Sequence, residues 1–208
     1  MNRLFRFLFL IGLIFFFAYL GEYLLISDQL FFNSLGEQLS FEQIRSLIDQ
    51  NKMWSWLNYV ILPLVTSVKL LLVASCLGLG LFFESNKINF KQLFGVVLKA
   101  EFVFLIPTIL KILWFAFVQT NYTLKDLQFF YPLSVLSFFD ASTIESWLVY
   151  PFQLLNVFEV VYWLVLAKGV QKIIQKDFTL SFEIVLASYG TGLVLWVAIV
   201  MFITVSYS

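Results

Sequence analysis

The chain has 208 residues, of which 61% are hydrophobic and 12% charged, and its 13 basic and 13 acidic residues balance. Soluble domains are usually about 25% charged, so this composition indicates a membrane protein and excludes the basic surface that nucleic-acid binding needs. One cysteine and no histidine exclude an intrachain disulfide and a thiol–imidazole nucleophile and argue against a zinc site. The sequence therefore predicts no catalytic residue, no metal and no cofactor.

The first predicted element is an apolar span over residues 4–26, with Arg3 and Arg6 at its N-terminal end. A basic start before an apolar stretch is also the layout of a signal peptide. The stretch "FAYLGEY" has no small-x-small cleavage site. We therefore expect a retained signal anchor.

A polar loop, residues 27–55, follows the first span. Ser40 and Gln43 have the spacing of a capping box, and apolar residues then recur at helical spacing. The pattern predicts a short amphipathic helix that lies on the membrane, or alternatively packs on the bundle. Aromatic side chains expected at headgroup level in the two outer loops are Trp54, Trp56, Tyr59 and Trp147.

The second span is predicted over residues 56–83 and contains Lys69. Its far half carries Gly78 and Gly80, small residues that permit close helix packing. The third span, 93–118, follows a short polar link in which either Asn89 or Ser85 is suited to cap the next helix.

A second outer loop covers residues 119–150. Its apolar segment "FFYPLSVLSFF" is too short to cross a bilayer, which takes about 20 residues, so it lies at the interface or partly re-enters. The fourth span is predicted over 151–170. The fifth covers 182–205, where Gly190 and Gly192 offer a second packing face.

The predicted fold class is therefore all-α: a single integral membrane domain, a bundle of five transmembrane helices with short interfacial helices in the two outer loops. Lysine and arginine number seven in the N-terminal tail and the two short links, against three in the long loops. The positive-inside rule then predicts a cytoplasmic N-terminus and, after five crossings, a C-terminus on the periplasmic side. The seven are Arg3, Arg6, Lys87, Lys91, Lys168, Lys172 and Lys176.

Two pairs of opposite charges are predicted inside the membrane. Lys111 lies seven residues before Val118 and Glu159 eight residues after Pro151. At 1.5 Å per residue both lie about 10–12 Å below the outer boundary on adjacent antiparallel helices, and we expect them to pair.

Lys69, near the middle of the second span, reaches down to Glu101 in the third and forms the other expected pair. Such residues either neutralise each other and set helix packing or line an ion path. Their Phe, Ile, Leu and Val neighbours favour the structural interpretation.

Three segments resemble the Yip-domain family, the Ypt/Rab-interacting membrane proteins, in its prokaryotic form. They are "FKQLFGVVLKAEFVFLIPTILKILW" (Phe90–Trp114), "YPLSVLSFFD" (Tyr131–Asp140) and "LLNVFEVVYWLVLAKGVQKI" (Leu154–Ile173). The resemblance covers about residues 56–205 and implies five membrane helices with a cytosolic N-terminus. Eukaryotic members are linked to Rab proteins and carry a long cytosolic N-terminal region before the first span; three residues precede Leu4 here, so no soluble GTPase partner is expected.

The leading functional hypothesis is a non-enzymatic accessory or scaffolding subunit of a larger assembly in the bacterial inner membrane, with lipid and other integral membrane proteins as partners. The second is a small transporter or channel component that uses the buried lysines and glutamates. A weaker third is a lipid-modifying enzyme acting through Asp126, Asp140 or Glu145. Cys76 is expected to be a small core residue.

Overall fold

The computed structural model describes residues 3–82, 89–139 and 144–207, and every regular element in these ranges is helical. The end of the predicted second span at 83, Lys87 and Asp140 lie outside the described residues. The α-helices are α1 Arg3–Leu25, α2 Asp28–Leu35, α3 Phe41–Phe82, α4 Phe90–Ala100, α5 Leu105–Leu113, α6 Leu124–Phe129, α7 Ser146–Leu154, α8 Val157–Ile174, α9 Phe178–Val185 and α10 Thr191–Tyr207.

Four helices in the described part of the chain are long and apolar enough to cross a membrane: Arg3–Leu25, Phe41–Phe82, Phe90–Val118 and Phe178–Tyr207. The third and fourth run continuously through tighter or wider turns. A 3₁₀ turn, Glu101–Phe104, joins α4 to α5, and α5 ends in a π turn, Trp114–Val118. A second π turn, Leu186–Gly190, joins α9 to α10.

The predicted fourth span, 151–170, is not one continuous helix. Helix α7 ends at Leu154, and α8 begins after Asn156, whose side-chain oxygen accepts the Glu159 N–H at 2.8 Å. Helix α8 has 18 residues and buries Tyr162, Leu166, Ala167 and Val170 at the centre of the core.

The first outer loop is more helical than the sequence predicted. The capping box is confirmed, because the Ser40 N–H donates to Gln43 Oε1 at 2.9 Å and the Gln43 N–H to Ser40 Oγ at 3.4 Å. The helix that it starts does not stop before the second span, however, and α3 is a single helix of 42 residues. No glycine or proline interrupts residues 41–62, so nothing in the backbone ends the helix there.

Of the four predicted packing glycines, two leave no space for a side chain and two would allow ordinary van der Waals contact. A Cβ at Gly80 would lie 2.6 Å from Ser188 Cβ, and one at Gly192 would lie 3.0 Å from Cys76 Sγ. At Gly78 and Gly190 the nearest side-chain atoms would be 3.6 Å away. A fifth glycine that was not predicted, Gly169, makes the closest approach, described below.

Helix α8 meets α4 where Gly169 faces Val96, whose Cγ1 would lie 2.1 Å from an added Cβ. Only glycine permits the two backbones to come this close. This contact places α8 against α4.

Candidate functional site

The break between α7 and α8 is bridged by the loop that contains Leu133, Ser134 and Val135. The Val135 N–H donates to the Leu155 carbonyl at 2.9 Å, and the Val157 N–H donates to the Leu133 carbonyl at 3.2 Å. Ser134 and Asn156 thereby form an isolated antiparallel bridge. The loop supplies hydrogen bonds that a continuous helix would have made, which is the condition for non-helical backbone inside a membrane protein.

The Asn156 side chain caps the N-terminal end of α8. Besides accepting the Glu159 N–H, its amide donates to the carbonyls of Gln153 at 2.9 Å and Leu154 at 3.1 Å. Asn156 therefore bonds both halves of the broken helix and fixes the backbone position of Glu159.

Replacing Asn156 with Ala is expected to lower the free energy of unfolding by about 2 kcal/mol, because three hydrogen bonds are lost at a buried helix end. The matched control is Asn89→Ala, which removes one exposed cap bond, to the Lys91 N–H at 3.0 Å, and is expected to lower stability by about 0.5 kcal/mol. Detergent unfolding followed by circular dichroism measures both. Equal losses in the two variants would contradict this role for Asn156.

Glu159 is buried, with 6% of its surface exposed. Its Oε1 accepts the indole N–H of Trp163 at 2.8 Å, one turn further along α8, and the hydroxyl of Tyr189 at 2.7 Å. Tyr189 lies in the π turn Leu186–Gly190, where the extra residue of a π turn changes the direction of the side chains. The position of Glu159 in the first turn of α8 also places its charge near the positive end of the helix dipole.

Lys69 and Glu101 form an ion pair at 2.7 Å, Lys69 Nζ to Glu101 Oε1. The Lys69 ammonium also lies 3.8 Å from the centre of the Phe104 ring, a distance at which the ring face attracts a cation. Glu101 begins the 3₁₀ turn Glu101–Phe104. Pro107 lacks the N–H that would bond the Val103 carbonyl, and the 3₁₀ turn lies just before this proline.

Two buried polar atoms beside this pair have no partner. The hydroxyl of Tyr162, which is fully buried, faces Glu101. Among the described residues neither this hydroxyl nor Glu101 Oε2 completes a hydrogen bond. The phenolic O–H can donate and the carboxylate oxygen can accept, so the two groups complement each other.

Lys111 and Glu159 do not form the predicted pair. Lys111 Nζ donates to the Leu127 carbonyl of α6, whereas Glu159 accepts from Trp163 and Tyr189. The prediction counted depth along an unbroken fourth helix. The break before Asn156 and the packing of α6 over the end of the third span change the neighbours of both residues.

Tyr131 comes from the second outer loop and lies near the same group of residues. Burial, and after it the negative charges of Glu159 and Glu101, raise the pKa of Tyr131 to about 12. Its hydroxyl is therefore protonated throughout the physiological range. We name the group formed by Lys69, Glu101, Tyr131, Glu159, Tyr162, Trp163 and Tyr189 the polar cluster.

Three of the predicted interfacial aromatics, Trp54, Trp56 and Tyr59, lie in α3, and the fourth, Trp147, lies in α7. More than half of the surface of Trp54 and of Trp56 is exposed. The Tyr59 hydroxyl donates to Glu22 at 3.2 Å, and the Trp147 indole donates to Glu145 at 2.9 Å.

The hypothesis of a lipid-modifying enzyme named three carboxylates, and the structure describes two of them, Asp126 and Glu145. Both have hydrogen-bond partners close by in the sequence. Asp126 accepts from the Thr123 N–H at 2.8 Å and completes a capping box at α6, while Glu145 bonds Trp147. Within the described ranges, no three His, Cys, Asp or Glu side chains come together as a metal site requires.

Comparison of the chain with protein-family models, with curated proteins and with solved structures finds no match. The resemblance to the Yip-domain family therefore stays a prediction.

Proposed function

We propose that this chain is a five-span integral membrane protein of the bacterial inner membrane, with α7 and α8 together forming a broken fourth crossing. The two helices have 9 and 18 residues, or about 40 Å of helix, against a hydrocarbon core of about 30 Å. The basic residues of the short links support a cytoplasmic N-terminus and a periplasmic C-terminus.

We further propose that the protein is not an enzyme and acts as an accessory subunit that binds another integral membrane protein. The observation that carries this proposal is the outward face of α1. Phe5, Phe9, Phe16, Tyr19 and Tyr23 are each about half exposed or more.

Together with Gly12, these residues recur at alternating intervals of four and three, which is the spacing of a helix–helix seam. Gly12 forms a notch in this seam, since an added Cβ there would have nothing within 4 Å. Lipid requires only that a surface be apolar, whereas a regular seam with a central notch suits a helix of another membrane protein.

Photo-crosslinking in native membranes tests the accessory role. A benzophenone amino acid at Phe16 should capture one defined membrane protein, and the same probe at Leu72, which is 53% exposed on α3, should not. Adding Gly12→Leu, which fills the notch, should abolish the product. Equal capture from both sites, or lipid adducts alone, would contradict the proposal.

The second candidate is a small transporter or channel component. The specific observation in its favour is the polar cluster beside a broken helix, an arrangement that transporters use at their binding sites. Proton or cation flux into liposomes that contain the purified chain, lost in Glu159→Gln, would support it. Flux at background in the unmodified chain would exclude it.

A further inference from the structure

Basic side chains follow two helices that pack against each other, α1 and α4, where both helices begin. On α4, Lys91, Gly95 and Lys99 recur every four residues, so they follow one side of the helix. Both lysines are exposed. On α1, Arg3 and Arg6 lie one turn apart. The start of the two helices therefore carries four basic residues.

Glycine at position 95 lets an arginine lie across α4. A Cβ at Gly95 would lie 3.6 Å from Arg3 Nε and 3.9 Å from Arg3 Cδ. The guanidinium thus lies close to the α4 backbone, midway between two lysines that are about 12 Å apart along the helix axis. A longer side chain at position 95 would occupy the space that the arginine takes, so this arginine has a packed position on the helix.

These four cations have no counter-charge within the chain that the structure describes, where both ion pairs lie elsewhere, at Lys52 and at Lys69. Like charges close together on a helix repel each other. Lys99 lies about 14 Å along α4 from Phe90, a depth from which lysine reaches the lipid headgroups by extending its stem. An anion held between α1 and α4 would offset the positive charge.

The residues around these cations are apolar, which favours a lipid over a soluble anion or an acidic protein. Leu4 and Leu8 of α1 and Phe90 of α4 are each 44% exposed or more. Further along the same two helices, the rings of Phe9 and Phe102 stack with their centroids 6.2 Å apart. A phospholipid offers both parts that this surface suits, a phosphate for the cations and acyl chains for the apolar residues.

We propose that the start of α1 and α4 binds the headgroup of an anionic phospholipid, with the phosphate between Arg3, Lys91 and Lys99. The planar guanidinium can donate two hydrogen bonds to one phosphate, and basic pockets between membrane helices bind anionic headgroups in this way. The site requires only that this end of α1 meets the headgroups. It does not depend on whether the protein is an accessory subunit or a transporter.

Native mass spectrometry of the purified full chain, supplied with phosphatidylglycerol or phosphatidylcholine in detergent, tests the proposal. The unmodified chain should retain one phosphatidylglycerol and bind phosphatidylcholine about tenfold more weakly, because choline cancels the phosphate charge. Lys91→Gln combined with Lys99→Gln should weaken phosphatidylglycerol binding about 30-fold, the effect expected for two basic residues near a lipid phosphate. The matched control, Lys168→Gln with Lys172→Gln, removes two exposed lysines of α8 and should leave binding unchanged.

Gly95→Leu tests the geometry of the site without changing any charge. Outside α4, only Arg3 lies within 4 Å of the added Cβ, so the variant should keep its helix content by circular dichroism and still lose the lipid. If the double lysine variant does not fold, Gly95→Leu and the comparison of the two lipids decide the matter. Equal retention of both lipids, an equal loss in the α8 control, or unchanged binding in Gly95→Leu would overturn the proposal. So would displacement of the lipid by inorganic phosphate, or a bound acidic protein in its place.

Discussion

Replacing Lys69 with Met should lower the free energy of unfolding by about 3 kcal/mol, because the buried Glu101 carboxylate loses the partly exposed cation that compensates its charge. Only 6% of the surface of Glu101 is exposed. In the variant, its Oε1 would lose the Lys69 ammonium that lies 2.7 Å away. Methionine keeps most of the length and apolar volume of the lysine stem, so lost packing contributes little. Unfolding in mixed micelles, followed by tryptophan fluorescence, measures the change.

The matched control is Lys52→Met, the same substitution in an exposed ion pair. Lys52 lies 2.8 Å from Asp28, with about 60% of each side chain exposed, and such pairs contribute about 0–1 kcal/mol. If the two variants lose the same stability, the Lys69–Glu101 pair does not hold the core together.

Replacing Gly80 with Leu should destabilise the fold by about 3 kcal/mol, because the added side chain has no space between α3 and the π turn Leu186–Gly190. Its Cβ alone would meet Ser188 Cβ at 2.6 Å. Ser188 cannot turn away, since a Cβ is fixed to its backbone. The variant should also move Tyr189, the neighbour of Ser188, away from Glu159. Thermal unfolding in detergent reports the loss of stability.

Gly12→Leu is the control for this substitution. It introduces the same side chain into a membrane helix at a site where a Cβ meets nothing within 4 Å. We expect no loss of stability, and a small gain from the better helix propensity of leucine. A loss comparable with that of Gly80→Leu would show that the glycines matter for some reason other than space.

Local patterns predicted local structure well. Two predicted caps form as expected: the capping box of Ser40 with Gln43, and the N-cap at Asn89. Each depends on residues no more than three positions apart. The four long apolar helices also follow from composition. The break in the fourth span had a comparable pattern, since Asn156 and Glu159 have the spacing of a helix start. The apolar residues on both sides of Asn156 made the region read as one uninterrupted membrane span.

The Lys69–Glu101 pair forms as the sequence predicts, but the partners of Lys111 and Glu159 could not be read from the sequence. Counting depth assumes straight helices, and the break at Asn156 invalidated that assumption for Glu159. Its bond to Trp163, four residues away, is local, but Tyr189 is thirty residues away and is turned toward it by a π turn. The contact of Gly169 with Val96 likewise depends on how α4 and α8 cross, which hydrophobic pattern does not specify.

The most direct test of the broken fourth crossing is the accessibility of single cysteines to a membrane-impermeant thiol reagent. In a Cys76→Ser background, cysteine is introduced at the exposed Gln128 of α6 or at the exposed Gln175 beyond α8. The proposed topology predicts labelling of the first from the periplasmic side only and of the second from the cytoplasmic side only. Labelling of both from the same side would place α8 outside the bilayer and contradict the account of a charged cluster within it.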